Sequence, residues 1–258
     1  MNNPLIKLEK ISFTYTSENN NVLRTLSLEV QKGDITAILG PNGIGKTTLL
    51  HLILGWINTD SGSIFLNGKN QKDYSRREMG RLIGLVPQDE HITFEYSLLE
   101  YVLLGRAPHL NSLESPGEKD YKTALVALDK VGLKDLADRP VTHLSGGEKQ
   151  LVLVARSLAQ EPGILLLDEP MSNLDLANKI RLIDVLKSLQ KDGVTILFTS
   201  HEPEVAAAIS NYLILMGNNN NIEHGTADKI LNSESLSKIY RVPVKVADYE
   251  GKKIVIWH

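Results

Sequence analysis

A strand, a glycine loop and a helix are written one after another between residues 35 and 55, and that order commits the chain to a buried parallel sheet. Ile35-Thr36-Ala37-Ile38-Leu39 is a short apolar run, suited to a strand covered on both faces. Gly40-Pro41-Asn42-Gly43-Ile44-Gly45-Lys46-Thr47 follows and fits the pattern G-x-x-x-x-G-K-[ST]. Its glycines allow a tight curve whose backbone N–H groups point inward at phosphate oxygens. From Lys46 to Leu54 the chain reads as a helix with Leu49, Leu50 and Ile53 on one face, and Gly55 is a plausible stop. Phosphates held by such a loop sit at a helix N-terminus, where the dipole and free N–H groups favour anions. Lys46 brings a point charge to the β- and γ-phosphates, and the Thr47 hydroxyl can ligate Mg²⁺. A chance glycine-rich turn would not carry all these parts in this order.

A phosphate loop needs a carboxylate to complete a metal site. Ile164-Leu165-Leu166-Leu167 is a second buried-strand run, and it ends in Asp168-Glu169. Asp168 would lie beside the loop and hold Mg²⁺ directly or through water. Glu169, one residue further on, suits a group that polarises an attacking water. A third run, Val194 to Phe198, leads through Thr199-Ser200 to His201. That places a histidine at the carboxyl edge of the sheet, where open α/β folds bind ligands, and makes it a candidate for the γ-phosphate. Gln88, after Ile83-Gly84-Leu85-Val86-Pro87, is a fourth polar group at a strand end, able to orient water or metal.

Leu144-Ser145-Gly146-Gly147-Glu148 is a second glycine segment. It opens a helix with Leu151, Val154, Ala155 and Leu158 at helical spacing, ending near Pro162-Gly163. This is a second anion-ready helix N-terminus. One nucleotide does not easily need two such ends from one chain, so a second chain is the economical reading.

With these motifs in view the chain resembles the nucleotide-binding subunit of an ATP-binding-cassette (ABC) transporter, from about residue 5 to about residue 240. The family's elements have counterparts in the family's order: the aromatic that stacks on adenine at Tyr15, Walker A at Gly40–Thr47, the Q-loop glutamine at Gln88, the signature motif at Leu144–Glu148, the Walker B acids at Asp168 and Glu169, the D-loop at Ser172-Asn173-Leu174-Asp175, and the switch histidine at His201. The resemblance implies nucleotide binding by Tyr15, Asn42, Gly43, Gly45, Lys46, Thr47 and Thr48, with Asp175 contributing from the D-loop. It makes Glu169 the general base, with His201 and Gln88 as catalytic helpers, and gives Mg²⁺ to Thr47, Gln88 and Asp168. It assigns Ser145, Gly146 and Gly147 to the γ-phosphate of the ATP held by a second copy, across a head-to-tail homodimer. Met171 stands where the family often has Thr, and Asn173 where a smaller residue or His is commoner; neither carries the chemistry.

The implied fold is an α/β P-loop NTPase: a RecA-like parallel-sheet core, an antiparallel β subdomain and an inserted helical subdomain. The alternating runs at Ile11, Phe13, Tyr15, then Leu26, Leu28, Val30, then Ile64 and Leu66 supply the antiparallel strands. Residues 1–88 and 161–235 are expected to form the nucleotide-binding core with this β subdomain, 89–160 the helical signature subdomain, and 236–258 a tail folded as a β hairpin. Asn19–Asn21 and Asn218–Asn221 read as turns. The chain of 258 residues, 42% hydrophobic, can bury a sizeable core as one large domain or two lobes.

Composition narrows the partners. No run approaches the ~18–20 apolar residues of a membrane span, and the first residues are no signal peptide. The net charge of −3, from 28 basic and 31 acidic residues, comes without a basic tract, which argues against nucleic acid. The absence of Cys fits a reducing interior. The resemblance therefore implies a peripheral protein at the cytoplasmic face of the membrane. Two permease subunits would contact it near residues 89–110, with an extracytoplasmic binding protein in the full system. Within that stretch Gly105-Arg106-Ala107-Pro108-His109 looks like the importer subfamily for iron–siderophores, haem and cobalamin, while subunits for zinc, manganese or molybdate are close in sequence. The plainer reading is that Arg106 and His109 decorate a solvated helix end. The alternatives are a soluble ABC ATPase acting on ribosomes or DNA, which usually carries two cassettes or long coiled coils, and the ATPase of an exporter.

Overall fold

The computed structural model describes residues 4–15, 21–111, 113–218 and 221–257. Strands β1 (Ile6–Thr14), β2 (Asn21–Val30) and β3 (Ile35–Leu39) lead to helix α1 (Lys46–Leu54). Then come β4 (Ser61–Leu66), the short β5 (Lys69–Asn70), α2 (Arg76–Leu82) and β6 (Ile83–Val86). Helices α3 (Leu98–Leu103), α4 (Glu118–Lys130) and α5 (Gly146–Leu158) follow, with a 3-10 segment, Leu104–His109, after the first. The order continues with β7 (Ile164–Leu167), α6 (Leu176–Lys191), β8 (Thr195–Ser200), α7 (Pro203–Ile209), β9 (Tyr212–Gly217) and β10 (Asn221–Thr226). It closes with α8 (Ala227–Ile230), α9 (Ser233–Tyr240), β11 (Val244–Tyr249) and β12 (Lys252–Trp257). These elements form two compact units, one from the chain up to Tyr74 together with Thr195 onward, the other from Ser75 to Val194.

In the first unit an antiparallel sheet has the order β2-β1-β4-β5. Its inner face is set by alternation: Ile6, Leu8, Ile11 and Phe13 are all buried. The step from Leu8 to Ile11 is odd, which in a regular strand would turn one of them outward. The register shifts between Leu8 and Ile11, and Lys10 takes a left-handed φ of 49°, so the irregularity returns Ile11 to the core face. Strand β3 lies between β8 and β9, parallel to both, and β10 runs antiparallel to β9. Every residue of β3 and β8 is buried, as expected for parallel strands covered on both faces. β11 and β12 form an antiparallel hairpin tied to α9, where Ser237 Oγ accepts from the Val244 N–H at 2.9 Å and Ser233 Oγ from that of Val246 at 2.8 Å. The asparagine turns expected at 19–21 and 218–221 fall largely outside the described residues.

In the second unit β6 and β7 pair in parallel, Val86 opposite Leu167. Helices α3, α4 and α5 pack against one another, and Leu98, Val102, Ala124, Leu128, Leu151 and Val154 on them are all buried. Ser75, Ser97 and Ser145 each open a helix with a capping box, paired with Glu78, Glu100 and Glu148, so orphan N–H groups at these starts are satisfied locally.

The Gly105–His109 run corrects one expectation. Arg106 is 2% exposed and decorates no solvated helix end. Its guanidinium donates to Asp120 Oδ1 at 2.8 Å, to the Ala159 carbonyl at 2.7 Å and to Glu161 Oε2 at 2.8 Å. A His109 ring nitrogen lies 2.9 Å from the Gln160 carbonyl. The run joins the start of α4 to the end of α5. Leu104, at the start of the same 3-10 segment, is exposed.

Candidate functional site

The first unit carries the phosphate loop. It leaves β3 at Leu39 and enters α1 at Lys46, with Gly45 at φ 104° as the helix cap and no capping side chain. A methyl group on Gly40 would run into the backbone carbonyl of Met216 on the adjacent β9, so the loop can start here only as glycine. Lys46 is 5% exposed, and its ammonium donates to the carbonyls of Gly40 at 2.9 Å and Pro41 at 3.2 Å. The loop thus holds its own cation in place. Asn42, Gly43 and Thr47 are exposed on the rim, while Thr48 is buried. Thr48 Oγ1 is 3.1 Å from the Tyr15 hydroxyl, and the Tyr15 ring stands edge-on to Phe13 at 4.8 Å between centroids. These two contacts fix an aromatic face beside the loop.

The same unit places His201. Leu39 and Ser200 are register partners in the parallel pair β3–β8, so Gly40 and His201 leave neighbouring strands at one level. Parallel strands lie about 4.8 Å apart, which brings the histidine's backbone close to the start of the phosphate loop. The loop after β8 is shaped by Ser200 Oγ, which accepts from the Glu202 N–H at 2.9 Å. Tyr240 of α9 donates its hydroxyl proton to the His201 carbonyl at 3.2 Å.

The second unit repeats the arrangement with different chemistry. The Asp168 N–H donates to the Val86 carbonyl at 2.9 Å, so Gln88 and the Asp168-Glu169 pair emerge from the same end of β6 and β7. Asp168 is buried, Glu169 is partly buried, and Gln88 is exposed. Glu169 sits at φ 42°, a left-handed conformation costly for a residue with a side chain. The turn that holds it is closed by Ser172, whose N–H and Oγ both donate to the Glu169 carbonyl, at 3.2 and 3.1 Å. Asp175 caps α6, accepting from the Asn178 N–H at 2.8 Å.

Ser145 and Gly146 are exposed at the start of α5, and Gly147 is buried against the Asn178 side chain. Ser145 Oγ accepts from the Glu148 N–H, and the Glu148 carboxylate accepts from the Ser145 N–H and hydroxyl at 2.8 Å each. The backbone bond from Ser145, followed by that from its hydroxyl, holds the Glu148 carboxyl below its usual pKa. Sequence reasoning missed one further group in this unit: Glu90, two residues past Gln88, is gripped by Arg156 of α5 and by Tyr101 of α3. A basic residue amid the buried face of α5 was the available signal.

A phosphate loop between a buried parallel strand and a helix defines a P-loop nucleotide-binding protein of the α/β class. The family model for ABC transporters matches residues 23–172. The chain is 40% identical to the molybdate import ATP-binding protein MolC of Haemophilus influenzae over 99% of its own length and 96% of that protein. It is 32% identical to the iron(3+)-hydroxamate import ATP-binding protein FhuC of Bacillus subtilis, over 87% and 84% of the two chains. Among solved structures, an inward-facing ABC transporter of proposed metal-chelate type aligns with TM-score 0.87 and 37% identity, covering 99% of this chain and 97% of that one. A dimeric ATP-binding cassette bound to ADP and phosphate aligns with TM-score 0.74 and 27% identity, covering 86% and 98%. The chain belongs to the ABC transporter family, as an ATP-binding subunit with the ABC ATPase fold that hydrolyses ATP. Proteins of this family work as dimers with membrane permease partners in importers.

Proposed function

We propose that this chain is the ATPase of an importer whose cargo is a metal chelate of the iron–siderophore, haem or cobalamin kind. The observation that carries the mechanism is that one chain presents two glycine-bearing helix starts, at Gly45-Lys46 and at Ser145-Gly146, in different compact units. In this reading Gly40–Thr47 holds the chain's own ATP and Tyr15 stacks on its adenine. Ser145, Gly146 and Gly147 close on the ATP of a second copy, arranged head to tail, with Asp175 from the D-loop. Glu169 takes the proton of the attacking water, His201 contacts the γ-phosphate, and Gln88 orients the water. The nucleotide-binding core is assigned to 1–88 and 161–235, the helical signature subdomain to 89–160 and the tail to 236–258.

The donor chemistry suits Mg²⁺: the Thr47 hydroxyl and the strand-end Asp168 carboxylate are hard oxygen donors. Gln88 would complete the set. When bound, the ion neutralises charge that develops on the phosphate oxygens. Among the described residues no helix is long and apolar enough to cross a membrane. The chain is assigned to the cytoplasmic face, held there by two permease subunits near residues 89–110 and served by an extracytoplasmic binding protein. It acts without nucleic acid.

The metal-chelate cargo is supported by the iron-hydroxamate relative and by the metal-chelate type structure. The 40% identity to a molybdate import protein favours a second reading, in which the cargo is an oxyanion. Reconstitution with the permease decides between them. The chelate reading expects a chelate-loaded binding protein to stimulate ATP hydrolysis, and stimulation by a molybdate-loaded one alone overturns it.

A further inference from the structure

Gln88 is strapped to one helix on both sides. Three residues before it, the Leu85 carbonyl accepts from Ser157 Oγ at 2.7 Å. Two residues after it, the Glu90 carboxylate meets the Arg156 guanidinium as a fork, Nη2 to Oε2 at 2.7 Å and Nη1 to Oε1. The Tyr101 hydroxyl donates to Glu90 Oε1 at 2.7 Å and accepts from Arg156 Nη1 at 2.7 Å, closing a triangle. The Arg156 guanidinium also lies 5.0 Å from the centre of the Tyr101 ring. Burial alone would push the Glu90 carboxyl up, but the hydrogen bonds from Arg156 and Tyr101 and the arginine's charge outweigh it, leaving the group below its usual pKa.

Arg156 and Ser157 occupy the last turn of α5, and the first turn of the same helix begins at Ser145-Gly146-Gly147. An α-helix is stiff and rises about 1.5 Å per residue, so this one spans roughly 15 Å between its two functional ends. A bidentate arginine–carboxylate contact is directional and resists sliding. Displacement at the glycine end of α5 is therefore passed to both flanks of Gln88.

We infer that Glu90, clamped by Arg156 and Tyr101, is a positioning residue that ties the placement of Gln88 to the helix carrying Ser145–Gly147. Closure on the second copy's nucleotide then sets where Gln88 stands in this copy. The inference rests on the roles proposed above for Gln88 and the signature segment.

The test is a double-mutant cycle in the full chain, reading kcat, KM and ATP-analogue affinity together with Tm. Glu90→Gln keeps the shape and removes the charge. It is expected to lower kcat about tenfold with KM and analogue affinity unchanged. In a Gln88→Ala background the same substitution should cost nothing further, because the clamp acts through Gln88. Arg156→Lys keeps the charge and loses the fork, and should show part of the same loss. Equal fold-losses from Glu90→Gln with and without Gln88→Ala would overturn the inference alone. So would a lowered Tm with unchanged kcat. Full turnover in Gln88→Ala by itself would remove both the inference and the role given to Gln88.

Discussion

At the scale of single residues, Lys46 and Glu169 show how much local geometry prepares the chemistry. The Lys46 ammonium is held at the loop by two carbonyls, so Lys46→Ala removes the charge proposed to meet the phosphates. ATP affinity should fall by about tenfold or more, measured with a fluorescent analogue, because a charge-assisted contact contributes about 1.5–3 kcal/mol. Glu169 is held in a left-handed turn by Ser172, which fixes its backbone just past the strand end. Glu169→Gln preserves shape and hydrogen bonding but is no base. This variant should bind ATP normally, lose turnover and accumulate as an ATP-bound dimer on size-exclusion chromatography. Normal turnover would remove Glu169 from the base role.

Elements carry a second kind of constraint. Arg106 joins the 104–109 segment to α4 and to the end of α5, and leaves little of itself in water. Arg106→Met strands Asp120 without its partner and should destabilise the fold by about 3–5 kcal/mol in urea unfolding. Hydrogen bonding from Arg106, followed by the Gly117 N–H, lowers the Asp120 carboxyl pKa. A folded-state pKa below the unfolded one gives stability that is fully present above about pH 4 and is lost as the pH falls further. The Tm gap between the natural chain and Asp120→Asn should accordingly narrow below about pH 4. Much of this level was legible in the residues. The runs at 35–39, 83–86 and 164–167 became strands because a buried parallel strand has to be apolar throughout. Arg106 was not legible, because its carboxylate partners lie 14 and 55 residues away and no periodicity links them.

For the molecule as a whole, the proposed active site is completed by a second copy. Specific ATPase activity should rise with protein concentration and be close to zero where the chain is monomeric, which turnover measured across a dilution series checks. Ser145→Arg would crowd the signature face while leaving Gly40–Thr47 intact, so ATP binding should persist and turnover should fail.

The motifs were readable because the groups proposed for catalysis sit where strands end, within a few residues of an apolar run. Strand, loop and helix are contiguous in the chain, so one short window names the phosphate loop, and others name Asp168-Glu169, His201 and Gln88. Tertiary structure alone decided which of those windows stand level with one another, through the Leu39–Ser200 and Val86–Leu167 registers. It alone joined Glu90 to Arg156, 66 residues apart. Register and long-range ion pairs depend on distances between segments, and a linear order of residues carries no such distances until the chain has packed.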